Sequence, residues 1–119
     1  MSANPYTLLA EALAAKGWMT HLRSPDQMII SSQDGPAWPD RGNSFWVSHR
    51  DGTWYLSTWA PVGYRVPRDQ DVSDVCDACM GLGGSAMYRV PGDLATRFGL
   101  KELQSDEYDR VFTETSGEE

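Results

Sequence analysis

The sequence predicts an α+β fold: a mostly antiparallel sheet of about four to six strands, an N-terminal helix, a second helix over about residues 71–82, and short C-terminal helices packed on one face. Three observations predict this class. Apolar residues recur at helical spacing near the start of the chain and again in its second half. The middle alternates apolar and polar residues, and turn-forming residues break it into short runs. Short connections between neighbouring runs make the strands antiparallel, and helices gathered toward the ends of the sequence favour α+β.

The elements follow in order. Asn4 caps free N–H groups, and Pro5 lacks the donor that a first helical residue would leave orphaned. Leu8, Leu9, Ala12 and Leu13 make one apolar stripe, and Gly17 suits a left-handed stop. Residues 18–23 and 27–32 read as a first hairpin around Ser24-Pro25-Asp26. A long loop rich in Gly, Pro, Asp and Asn covers residues 33–44 and carries Trp38.

Residues 45–59, FWVSHRDGTWYLSTW, give the strongest local signal. Asp51-Gly52 is a two-residue hairpin turn, which sets Arg50 against Thr53, His49 against Trp54, Val47 against Leu56 and Phe45 against Thr58. One face then holds Phe45, Val47, His49, Trp54, Leu56 and Thr58, a core-like set. The other holds Trp46, Ser48, Arg50, Thr53, Tyr55, Ser57 and Trp59. A solvated face does not need such large aromatics. A short edge segment at residues 64–66, a last strand over 85–90 stopped by Pro91, and a helix over about 92–98 stopped by Gly99 complete the order. Ser105 is expected to cap a final turn or two, with Tyr108, Val111 and Phe112 facing inward.

The chain of 119 residues is expected to form one domain over 1–112, followed by a disordered acidic tail over 113–119. Its net charge is −7 and its pI about 4.6, without a basic cluster, so nucleic acid and anionic membrane surfaces are disfavoured partners. No apolar run approaches the roughly 20 residues that a membrane span needs. No basic segment precedes the N-terminal apolar residues, so no signal peptide is expected, and the expected location is the cytoplasm.

Cys76 and Cys79 stand in Cys-Asp-Ala-Cys-Met-Gly-Leu-Gly, a C-x-x-C-x-G-x-G pattern. Those eight residues resemble one copy of the cysteine-rich repeat of DnaJ-type chaperones. The resemblance implies zinc, but paired copies build that site and this chain has a single copy, hence half a site. Zn shared across a dimer, or a thiol redox pair, are the alternatives to a helical core stripe of Val72, Val75, Cys76, Cys79 and Met80. The stripe is the leading reading, because free cysteine packs as a small hydrophobe. No cofactor is expected on that reading.

Asp69, Asp71, Asp74 and Asp77 read as a helix start and a solvated outer face rather than a cation site. His49 reads as an edge-of-core residue and His21 as exposed. No nucleophile, base and orienting group can be assembled from spacing, which argues against an enzyme. Trp38, Trp46, Tyr55 and Trp59 remain as the candidate binding residues. The expected function is a small binding or regulatory module that recognises a protein partner, or a second copy of itself, through this aromatic face. In outline it is similar to type III secretion chaperones and to some toxin-immunity proteins.

Overall fold

The computed structural model describes residues 4–24, 27–32, 44–58, 62–82 and 89–113. The chain is α+β around a six-stranded antiparallel sheet whose strand order is the sequence order. Helix α1 (Pro5–Ala15) precedes strands β1 (Trp18–Ser24), β2 (Gln27–Ser32), β3 (Ser44–Arg50), β4 (Thr53–Ser57) and β5 (Gly63–Val66). A 3-10 turn (Asp69–Asp71) leads into α2 (Val72–Leu82). Helix α3 (Gly92–Phe98), the two-residue strand β6 (Lys101–Glu102) and α4 (Ser105–Tyr108) follow, and α4 continues as a π turn over Asp109–Thr113.

Local chemistry sets these bounds. The Asn4 side-chain oxygen accepts the Tyr6 N–H at 2.8 Å, with Pro5 in the first turn. Asp51 and Gly52 have φ of 52° and 77°, the pair of positive values that a tight hairpin with native twist requires. The expected register follows: Arg50 pairs with Thr53, His49 with Trp54 and Val47 with Leu56.

Strand alternation then sorts the sheet into two faces. The first face presents Met28, Ile30, Phe45, Val47, Trp54, Leu56, Tyr64 and Val66 to Tyr6, Leu9 and Leu13 of α1, to the apolar stripe of α2 and to Leu94 of α3. The predicted stripe of α2 is buried throughout: Val72, Val75, Cys76, Cys79 and Met80 all lie in this core. In α1 the buried stripe is Tyr6, Leu9 and Leu13, whereas Leu8 is 54% exposed.

The helices do not all share one face. The α4 segment lies across the second face, over Tyr55, with Val111 and Phe112 packed on it and Leu103 and Tyr108 beside them. This placement depends on Gly63. A Cβ there would stand 2.6 Å from Tyr108 Cδ2 and 2.9 Å from Leu103 Cδ1. The Leu103 N–H also donates to the Gly63 carbonyl at 2.8 Å, extending the β5–β6 pairing.

Two further expectations differ from the structure. Of the strand expected over 85–90, residues 85–88 lie outside the described residues, and Arg89 and Val90 are not in a strand. The last strand is instead β6, held beside β5 by pairs Tyr64–Glu102 and Arg65–Lys101. Gln104, not Ser105, precedes the first turn of α4, without a side-chain cap. Apart from Thr113, the expected tail lies outside the described residues.

Candidate functional site

The second face is built by rows of cross-strand neighbours. One row runs His21, Ile29, Trp46, Ser57, Gly63 from β1 to β5. The adjacent row sets Ser48 beside Tyr55, Tyr55 beside Arg65 and Arg65 beside Lys101. Alternation therefore does bring Trp46 and Tyr55 to one face, as the hairpin register requires.

The α4 segment divides that face. Tyr55 is only 7% exposed, because Val111 and Phe112 cover it. Around it lies a polar layer. Gln27, Ser48 and Ser57 are all buried. The Gln27 amide donates to the Phe112 carbonyl at 2.5 Å, and Ser57 Oγ and the Tyr108 hydroxyl share a hydrogen bond of 2.8 Å. Burial raises the Tyr108 phenol above its ordinary value, more than the Ser57 bond lowers it. The face is thus closed at the β4–β5 side through apolar contacts and satisfied polar groups together.

Toward β1 exposure rises by steps: Ile29, between Trp46 and His21 in the row, is still buried. Trp46 is half-buried, His21 is exposed, and Met19 on the same face is 46% exposed. Trp38 and Trp59, the other two aromatics expected here, lie outside the described residues. Arg50, Arg65 and Lys101 ring the covered end of the face.

The cysteines lie on the opposite side of the sheet. Cys76 and Cys79 are fully buried in the first-face core. Burial drives the Cys76 thiol far up, with Cys79 and Asp77 adding to it, and pushes Cys79 up to about 12. Forming a thiolate at either position is costly, and the thiolate is what a metal or a disulfide exchange requires. Among the described residues no three His, Cys, Asp or Glu side chains come together as a metal set. The acidic run is engaged locally: Asp71 with Arg68 at 3.7 Å, Asp74 with Lys16 at 3.4 Å, and Asp77 accepting from Trp18 Nε1 at 2.7 Å.

Two clefts flank α1 on the first face. One, of about 410 Å³, has His49 and Trp54 as its floor, between Pro5, Leu8 and Ala12 on one side and Asp69, Gln70 and Ser73 on the other. The His49 and Trp54 rings are 4.8 Å apart, and Tyr6 stands edge-on to Trp54 at 5.2 Å. The Tyr6 hydroxyl accepts the His49 backbone N–H at 2.7 Å. The second cleft, of about 510 Å³, runs between α1 and β1. Neither was visible in the sequence. Leu8, an apolar residue of the expected α1 stripe that the fold leaves exposed, lines the first of them.

No helix among the described residues is long and apolar enough to cross a membrane. Compared with known protein families, curated proteins and solved structures, the chain matches none.

Proposed function

We propose that this chain is a small non-enzymatic protein-binding module, and that it recognises its partner with the β1 side of the second sheet face, through half-buried Trp46 and exposed His21 and Met19. The observation that carries the reading is the division of that face. The α4 segment covers Tyr55, while Trp46 is half-buried and, on the far side of buried Ile29, His21 and Met19 are exposed. Tryptophan supplies large contact area with few rotors and is enriched among residues that dominate binding energy. A neighbouring apolar side chain and a polar rim fit the anatomy of an interface.

The test is affinity purification from native cells with three forms of the chain. The wild type and Leu8→Lys, which alters the first-face cleft, should retain the same stoichiometric protein partner. Trp46→Ala should lose it by about tenfold or more in affinity, with little change in melting temperature. Equal retention by Trp46→Ala, or no protein recovered with the wild type, would contradict the reading.

A further inference from the structure

Asp69 stands apart from the rest of the acidic run. Asp71 meets Arg68, Asp74 meets Lys16 and Asp77 accepts from Trp18, whereas the Asp69 side chain has no ion pair or hydrogen bond among the described residues. It lines the cleft of about 410 Å³ whose floor is His49 and Trp54. Gln70 and Ser73 stand on the same wall, and their side chains also have no hydrogen-bond partner among the described residues. The facing wall, from α1, is apolar and includes Leu8 at 54% exposure. The floor is held in place by Tyr6, whose hydroxyl accepts the His49 backbone N–H at 2.7 Å and whose ring stands edge-on to Trp54. No lysine or arginine is among the described lining residues, and Arg68, beside Asp69 in sequence, lies 3.7 Å from Asp71.

We propose that this cleft binds a small organic amine, a primary ammonium group carried on a compact apolar body. An ammonium group has three N–H donors and no acceptor. The polar wall answers it with acceptors: the Asp69 carboxylate, the Gln70 amide oxygen and the Ser73 hydroxyl. Charge-assisted hydrogen bonds of this kind are the strong ones. The apolar body lies along Leu8 and Ala12 and over the aromatic floor. The volume falls in the range of roughly 300–1,000 Å³ that small organic ligands occupy, with a mainly apolar lining and a few converging polar groups. Charge decides the sign of the ligand. An anion would face Asp69 directly, and the positive end of α2 is already met by Asp69, Asp71 and Asp74. A neutral ligand would cover the Asp69 carboxylate without giving it a partner, which is costly. The net charge of −7 also draws cations toward the chain. The cleft belongs to the first face, opposite the Trp46 surface, so this site stands or falls apart from the partner-binding reading.

Calorimetric titration of the full chain, with amide chemical shifts followed by NMR, tests it. The probes are phenethylamine, 3-phenylpropionate and 2-phenylethanol, which share one apolar body and differ in charge. Phenethylamine should bind with a Kd of about 1 mM or tighter. Its shifts should map to residues 5–12, His49, Trp54 and residues 69–73. The anion and the neutral alcohol should bind at least about tenfold more weakly. Asp69→Asn should weaken phenethylamine by about fivefold or more and leave 2-phenylethanol unchanged. Leu8→Lys should weaken both, while Asp106→Asn in α4, on the other side of the sheet, should weaken neither. Asp69 and Leu8 are exposed, so far-UV circular dichroism should be unchanged, and should Leu8→Lys fold poorly, Asp69→Asn decides. Absence of saturable phenethylamine binding up to about 10 mM overturns the proposal. So does 3-phenylpropionate binding as tightly as the amine, an Asp69→Asn variant that keeps full affinity, or shifts confined to residues outside the cleft.

Discussion

The two faces of the sheet are made by the same strands and do different work. The first buries a continuous apolar cluster drawn from the sheet and three helices, including Leu13, Ile30, Phe45, Val75 and Cys76 at zero exposure. Among the described residues the second buries the smaller cluster of Tyr55, Val111 and Phe112, with Ile29 also buried on that face, among the polar Gln27, Ser48 and Ser57. Apolar burial scales with area and has no substitute in water, whereas a buried hydrogen bond contributes only about 1 kcal/mol net because water can replace it. The first face therefore fixes the fold. The second holds the α4 segment by a smaller and more exchangeable set of contacts, and exposes His21 and Met19 on β1.

Mutation and pH act differently on the two faces. The largest effect is expected at Phe45→Ala on the first face, about 3–5 kcal/mol in urea unfolding, since the side chain is fully buried in a close-packed core. A loss under 1 kcal/mol would place the true core elsewhere.

Alkaline pH comes next. The Cys79 thiol is raised from 9.0 to about 12 in the folded chain, so the folded state holds its proton where the unfolded state releases it. The stability due to this group is complete below pH 9 and falls as pH rises above it, by about 1.4 kcal/mol per pH unit at most. Burial raises Cys76, Tyr64 and Tyr108 in the same direction. Melting temperature measured from pH 8 to pH 11 should fall, and Cys79→Ala should make the slope shallower. An unchanged slope would mean that the thiol is open to solvent.

Gly63→Ala is expected to cost about 1–3 kcal/mol, because the added methyl overlaps Tyr108 and Leu103. Its signature is local: amides of residues 105–113 should lose protection while those of α2 keep theirs. The smallest effect is Tyr108→Phe, which removes the hydrogen bond with Ser57 at about 0.5–1.5 kcal/mol. If that variant destabilises the molecule as much as Phe45→Ala does, the second face is core in the same sense as the first.

What the sequence reveals and conceals follows the same division. Asp51-Gly52 dictates the register from Arg50–Thr53 out to Trp46–Ser57, because a two-residue turn leaves no freedom to slip; the expected Phe45–Thr58 pair is absent from the ladder, and the Thr58 N–H donates to the Val62 carbonyl at 2.9 Å instead. Asn4-Pro5 and the α2 stripe are local signals of the same strength, and both appear in the structure. Strand β6 left no such trace. It is two charged residues whose strand geometry comes from pairing with β5, not from their own pattern. The residues that share the second face were legible by alternation, but not that α4 crosses it. That depends on Gly63 allowing Tyr108 close to the sheet, a contact between residues distant in sequence. The surroundings of Trp46 were half legible: the face could be read, but not which of its residues stay exposed.

The most direct measurement is native-state hydrogen exchange, comparing amides of residues 105–113 with those of α2. The contrast between the faces predicts that the α4 segment exchanges through a sub-global opening of lower free energy, while α2 exchanges only with global unfolding. Equal opening free energies for the two regions would contradict it, and would make both faces parts of one cooperative core.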